Sequence, residues 1–293
     1  MTRDTRFAWL LCAPALLVIL AFAFLPLAWT IWDSLHLHDL RMPWRGRPFV
    51  GFANYAEALA VPRFWQALAH TAFFAVVSVA LELLLGLLLA LGLHQLRFGR
   101  GPARTAALLP WAIPTVVSAL LWRFLFDGSA SPANATLAGF GVEPRAWFSD
   151  AMLAWVPIIL ADVWKTTPFV ALLLLAGLQN IDDALEEAAR VDGAGAWRRF
   201  VHVTLPCLRP ALLVALVFRL LDAFRVFDLI YVLTTGGPGS ATEPIALLAF
   251  QTLFEELRFG YGAALSILLF AVTSLLAFVY IRLVGSDLLR EER

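Results

Sequence analysis

Charged side chains are scarce in this chain of 293 residues: Asp, Glu, Lys and Arg make up 15%, where a soluble domain carries about 25%. Lysine is nearly missing, with Lys165 alone against 21 arginines, a pattern of GC-rich coding rather than of function. The 22 basic and 22 acidic residues cancel, so the composition offers no basic surface for nucleic acid and no charged disordered tail. Cysteine is limited to Cys12 and Cys207, each inside or at the edge of an apolar run, which leaves no disulfide framework and no zinc-ligand spacing. His36 and His38 come nearest to a metal pair and read as solvated residues; no metal site is expected. No Ser-His-Asp or Cys-His grouping is legible either. What fills the chain is apolar: 61% of its residues, with a mean hydropathy of +0.78. One water-facing globule could not bury that much apolar surface, so the chain is an integral membrane protein.

A bilayer core about 30 Å thick takes about 20 apolar residues of helix to cross, because backbone polar groups in lipid must bond to one another. Six stretches reach that length, at about 7–32, 64–96, 105–126, 151–178, 208–233 and 261–284, which predicts an all-α, polytopic protein with a single transmembrane domain over 1–293. The first run follows Arg3 and Arg6 as a signal peptide would, but it is too long and lacks a small-x-small cleavage site, so it is read as a retained span. With the N-terminus in the cytoplasm, the inner segments hold twelve arginines, among them Arg97, Arg100, Arg104 and Arg293. The outer segments then hold six: Arg41, Arg45, Arg47, Arg63, Arg145 and Arg258. Twelve against six places both termini inside by the positive-inside rule. No repeat of 20–50 residues and no inverted pair of Gly/Pro-broken spans is found.

The polar segment 180–206 does not look like a simple loop. Asp182 or Asp183 can cap a helix whose early turns hold Glu186 and Glu187, where carboxylates meet the positive end of the dipole, and Arg190 closes it. Gly193 and Gly195 break it. A second short helix is expected over 196–203, with Trp197, Phe200 and Val201 on one side and Arg198 and Arg199 on another, and Pro206 is expected to start the next span. Pattern alone fits either an interfacial helix lying on lipid headgroups or a docking element for a cytoplasmic partner.

Charges inside the spans cost about 2.5–3.5 kcal/mol each on insertion scales, so they pair with one another or face a polar path. Asp162, Lys165, Thr166 and Phe169 fall at i, i+3, i+4 and i+7 of the fourth span; Arg219, Asp222, Ala223 and Val226 repeat those offsets in the fifth. Arg225 flanks the second face, with Asp228 roughly opposite. Trp111 and Thr115 stand one turn apart in the third span, and Glu82 in the second is either a cross-bundle partner or structural. Purely structural pairs, Asp162 with Lys165 and Arg219 with Asp222, are one reading. The other is a mid-membrane site for a hydroxyl-rich solute, since carboxylate and guanidinium groups bond vicinal hydroxyls and an aromatic face packs on a sugar's C–H face.

Glu187-Ala188-Ala189, three residues, Gly193, nine residues, then Val203-Thr204-Leu205-Pro206 resembles the EAA loop of permease subunits of binding-protein-dependent ABC importers. Asp162-Val-Trp-Lys-Thr-Thr-Pro-Phe169 and Phe227-Asp-Leu-Ile-Tyr-Val-Leu-Thr-Thr-Gly-Gly-Pro238 look like its carbohydrate-uptake branch, and Phe218–Asp228 is similar to trehalose-type permeases. The resemblance runs from the first span to Phe259-Gly-Tyr-Gly-Ala-Ala264. It implies a type I importer core of six helices in the bacterial cytoplasmic (inner) membrane. It also implies a second similar permease, two ATPase subunits and an extracytoplasmic sugar-binding protein as partners. The 180–206 loop would couple to the ATPase: Glu187 makes a polar contact, Ala188 and Ala189 allow close approach, Gly193 bends the chain, and Asp192, Leu205 and Pro206 complete the motif. In maltose-type relatives the sugar pocket falls on or next to Trp111, Thr115, Asp162, Lys165 and Arg219, and Thr166, Phe169, Asp222, Ala223 and Arg225 share those faces. Where that pattern favours neutral amides, this chain has charges.

Lys165-Thr166 is not a nucleotide loop, because Trp164 stands where Gly is required, and Gly236-Gly-Pro-Gly239 is a turn. No cofactor is expected in this chain; ATP and Mg belong to the partner subunits. Two other classes compete with a permease of a di- or oligosaccharide importer, best matched to trehalose or a related α-glucoside. One is an ion-coupled secondary transporter using the intramembrane charges as a proton relay. The other is a membrane enzyme, which requires an interfacial carboxylate cluster that the sequence does not present.

Overall fold

Backbone in lipid has no water to bond, so apolar runs this long close their hydrogen bonds within one helix. The computed structural model describes residues 3–96 and 99–291; Arg97 and Arg293, two of the arginines counted for orientation, lie outside the described residues. The regular structure is α-helical: α1 (Arg3–Ile19), α2 (Leu25–Ser34), α3 (Ala53–Ala60), α4 (Pro62–Gln95), α5 (Arg100–Ala112), α6 (Thr115–Phe126), α7 (Pro132–Gly139), α8 (Trp155–Gln179), α9 (Asp183–Val191), α10 (Ala196–Arg199), α11 (Leu205–Ala223), α12 (Asp228–Leu233), α13 (Ile245–Phe254) and α14 (Phe259–Glu291). Among the described residues, extended pairing is limited to two isolated bridges, His36 with Phe49 and Asp39 with Arg258.

Among the described residues, five helices are long and apolar enough to cross a bilayer: Leu11–Ser34, Pro62–Gln95, Trp155–Gln179, Ala196–Ala223 and Phe259–Arg282. The third expected span, 105–126, is not straight: α5 and α6 meet at 85° and make a sixth crossing only if counted together. Pro114 has no N–H to extend α5, and its ring holds Ile113 extended at φ −73° and ψ 132°.

The fifth expected span, 208–233, differs at both ends. A π-turn over Phe200–Thr204 joins α10 to α11; the Leu205 N–H reaches back to Phe200, and Pro206, with no N–H to offer, falls in the first turn of α11. Pro206 therefore lies within a helix that already began at Ala196, and 196–203 is not a separate piece. The first span has the same arrangement, with a π-turn over Leu20–Phe24, Leu25 bonded to Leu20, and Pro26 next. At the far end, the N–H groups of Arg225 and Val226 bond three residues back, to Asp222 and Ala223. That tightening ends α11 at Ala223, and α12 begins at Asp228. No proline or glycine marks the stop.

The chain divides into two compact units, one of Met1–Gln66 with Ile245–Val272, the other of Ala67–Pro244 with Thr273–Arg293. In the first, Leu11–Ser34 buries no side chain over its most apolar stretch. Beyond it, Asn54 donates to the carbonyls of Ser34 (2.8 Å) and His36 (3.0 Å). Gly260 packs so closely that a Cβ would lie 2.2 Å from the His36 oxygen. Ion pairs Arg258–Glu57 (2.6 Å) and Arg63–Glu256 (3.1 Å) tie α3, α4 and the chain after α13.

The second unit is built on α8, which packs against α5, α6, α11 and α12. Ala90, Leu93, Val170, Ala171, Leu174, Leu175, Leu178, Leu208 and Ala215 form its buried cluster. Glycine permits the approach of neighbouring helices: a Cβ on Gly86 of α4 would lie 2.6 Å from Val170 of α8, and one on Gly177 of α8 would lie 2.6 Å from Ala211 of α11. The Tyr280 hydroxyl of α14 donates to the Leu213 carbonyl.

Candidate functional site

Helix α8 places Asp162 and Thr166 one turn apart, and the close contacts at Gly86 and Gly177 bring α4 and α11 alongside. Glu82, near the middle of α4, is fully buried, and Arg219 of α11 is 3% exposed. Arg219 donates through Nε to Glu82 Oε2 (2.5 Å) and through Nη2 to Glu82 Oε1 (2.9 Å), a two-point fork. The same Nη2 reaches Asp162 Oδ2 at 3.3 Å, and Nη1 donates to Asp222 Oδ2 at 2.5 Å. These four bonds leave one of the five guanidinium N–H groups free of this cluster. The Thr166 hydroxyl lies 2.7 Å from Glu82 Oε1 and 2.6 Å from the Asp162 carbonyl oxygen, so it bonds back into the same cluster. Three carboxylates from three helices thus surround one guanidinium: Glu82 and Asp162 are largely closed to water, and Asp222 reaches in from the opening.

A cavity of about 210 Å³ opens beside this cluster, lined by Phe74, Thr115, Asp162, Lys165, Thr166, Arg219, Asp222, Ala223, Arg225, Val226, Asp228 and Leu229. The Asp222 side chain is 62% exposed and Asp162 only 13%, so the first projects into the opening and the second forms its wall. Arg225 Nη2 stands 3.9 Å from Asp222 Oδ1. Among the described residues no carboxylate pairs with Lys165.

The 180–206 segment has a different chemistry. Asp182 caps α9, its carboxylate accepting the Ala184 N–H at 2.9 Å, and Arg190 pairs with Glu186 at 3.5 Å. The helix ends in a Schellman motif: the Ala194 N–H bonds to the Ala189 carbonyl and the Gly193 N–H to that of Arg190. Gly193 has φ +76°, which glycine adopts at no steric cost. Helix α9 buries none of its residues, and apolar side chains stand in the open around it: Val191 at 88%, Trp197 at 74% and Leu185 at 48% exposed.

Residues 82–289 match the model of the binding-protein-dependent transport system inner membrane component family. The chain belongs to this family. It is 45% identical over 280 residues to the trehalose/maltose transport system permease protein MalF of Thermococcus litoralis, covering 96% of this chain and 94% of that protein. It is 40% identical over 283 residues to the trehalose transport system permease protein SugA of Mycobacterium tuberculosis, covering 97% and 90%. Among solved structures, a chain of a bacterial ABC transporter involved in the import of the acidic polysaccharide alginate has the same fold, with a TM-score of 0.81, 24% identity and 96% of each chain covered. The protein is therefore an inner-membrane, multi-pass permease, a transport component rather than an enzyme.

The permease brings together most of the residues singled out from sequence. Thr115, Asp162, Lys165, Thr166, Arg219, Asp222, Ala223 and Arg225 line one cavity. Trp111 and Phe169 do not join that lining; they stack on each other, with ring centroids 5.8 Å apart and planes 15° apart. Trp111 and Thr115 belong to different helices, not to one turn, because Pro114 separates α5 from α6. The structural pairing of Asp162 with Lys165 is not made, since Asp162 turns to Arg219; the pairing of Arg219 with Asp222 is. Asp228, expected opposite the Arg219 face, lines the cavity because α11 has already ended. Glu82, weighed from sequence as either a cross-bundle partner or structural and not counted among the site residues, takes the cross-bundle alternative. Its signal was present: Glu82 is the one acidic residue of α4 and sits inside a long apolar run.

Proposed function

We propose that this chain is one of two permease halves of an ATP-driven importer for a di- or oligosaccharide, with trehalose or a related α-glucoside as the solute. The observation that carries this reading is the cavity beside Arg219, in which carboxylates, ammonium and guanidinium groups and Thr115 face one another between apolar helices. Vicinal hydroxyls both donate and accept, so such a mixed wall suits them. At about 210 Å³ the cavity is smaller than the roughly 300–1,000 Å³ of a complete ligand site, which fits a path completed by a second permease. Trp111 and Phe169, stacked nearby on α5 and α8, offer an aromatic surface for a sugar's C–H face. The names of the relatives, trehalose/maltose and trehalose transport system permeases, support the solute class.

The 180–206 segment is the coupling element. Val191, Leu185 and Trp197 are apolar and uncovered, and Ala188 and Ala189 present little bulk, so a groove on an ATPase subunit can receive α9 while Glu187 and Asp192 make polar contacts. Through Leu205 and Pro206 the segment continues into the helix that carries Arg219, so a push on α9 reaches the cavity wall. ATP and Mg are held by those subunits. Both termini and the 180–206 segment face the cytoplasm, and a binding protein delivers the sugar on the other side, to loops around 43–63 and 234–256.

The test is uptake of radiolabelled trehalose into proteoliposomes holding this chain with its partner permease, ATPase subunits and binding protein. Uptake is expected to require ATP and the binding protein and to persist with an uncoupler. Uptake by this chain alone, abolished by the uncoupler, would establish an ion-coupled transporter instead.

A further inference from the structure

Arg219 was expected to bond the solute, yet its geometry turns it the other way. Four of its five N–H groups are taken by Glu82, Asp162 and Asp222, and its side chain is nearly closed to solvent. Only Glu82 meets it with both oxygens, from behind the cavity wall; Asp162 and Asp222 each contribute one oxygen and sit in that wall. Glu82 is itself fixed by the Thr166 hydroxyl. Four carboxylic side chains (Glu82, Asp162, Asp222, Asp228) stand in or behind the wall beside Lys165, Arg219 and Arg225. The carboxylate oxygens not used by Arg219 are acceptors for a solute's O–H donors, and Arg219 itself offers an acid almost nothing while its fork is filled.

We propose that Glu82 is a positioning residue: by filling the fork of Arg219 it keeps the guanidinium off the cavity, so that the site selects uncharged, hydroxyl-donating sugars over acidic ones. This rests on the sugar-importer reading above and names the solute's charge class. A neutral amide in place of Glu82 removes one half of the fork, because an amide NH₂ cannot accept from Arg219. The freed guanidinium can then swing to the cavity, where a carboxylate-bearing sugar is its natural partner.

The experiment uses the assembled importer without its binding protein, so that the permease alone discriminates. Equilibrium dialysis measures the affinities of trehalose and of a disaccharide carrying one uronic-acid carboxylate. Wild type is expected to prefer trehalose. Glu82→Gln should weaken trehalose about fivefold and strengthen the uronic-acid sugar about fivefold, the effect of exchanging a neutral for a charged hydrogen bond. Glu82→Asp keeps the charge but is too short to fill the fork; it should move both affinities the same way by less, and it decides the matter if Glu82→Gln does not assemble. The readout is the ratio of the two affinities, which general damage to the fold would leave alone. A ratio unmoved in the variants, whether both affinities hold or fall in parallel, overturns the role of Glu82 alone. A wild type that binds neither sugar overturns the sugar reading and this inference with it.

Discussion

Arg219 shows how one side chain sets the cost of others. Glu82, Asp162 and Asp222 are tolerable between apolar helices because the guanidinium bonds each of them. Removing one partner of a buried ionic cluster costs about 3–5 kcal/mol, since the remaining charges lose their counter-ion. Arg219→Leu should accordingly lower the thermal midpoint and the folded yield of the purified permease sharply, as read by fluorescence-detected size exclusion. Asp162→Asn keeps a side chain of the same shape on a 3.3 Å contact, so stability should change little while the KM for sugar uptake rises several-fold. That the fourth and fifth spans carry these groups at i, i+3 and i+4 is legible in the sequence. Which carboxylate each cation chooses is not, because the choice depends on how near α4 comes to α8 and α11, and that is set by Gly86 and Gly177.

Among the elements, α9 and its glycine turn admit a sharp comparison. Gly193 holds φ +76° within the Schellman motif, whereas Gly195 has φ −64° with open space where a Cβ would go. A β-branched residue in the left-handed region costs about 1–2 kcal/mol. Gly193→Val should therefore disturb the end of α9 and reduce sugar uptake strongly, with ATP hydrolysis continuing and the protein still inserted; Gly195→Val should transport normally. Paired uptake and phosphate-release assays separate the two, and equal transport would remove Gly193 from the coupling role. Glycine acts by space rather than by angle in the membrane: Gly86→Val puts methyl groups into Val170 and should destabilise by about 1–3 kcal/mol in a thermal shift. The α9 cap, the glycine bend and the Pro114 break all have sequence signals. The end of α11 at Ala223 has none, because it is made by two i→i+3 bonds in a run without glycine or proline.

For the whole molecule, the proposed orientation rests on the arginine count: six of the eighteen counted lie in segments assigned to the outside. With the free, exposed Cys12 and Cys207 replaced by serine, a cysteine at Asp192 should react with a membrane-impermeant maleimide only in inverted vesicles, and one at Arg47 only in right-side-out vesicles. The opposite pattern would reverse the topology. Composition and run length by themselves determine that this protein is a helical membrane protein, since no soluble core could hold so much apolar surface and lipid leaves the backbone no partner but itself. The EAA spacing at 187–206 already points to the family that the match over residues 82–289 shows. The tertiary structure alone decides where α11 ends and which charges meet. A helix can bend at an i→i+3 tightening or absorb a proline in a π-turn without altering its apolar pattern. A salt bridge between helices depends on approach distances that no single helix encodes. Glu82, conspicuous in its apolar run but without a legible partner, becomes the holder of Arg219 only when α4, α8 and α11 come together.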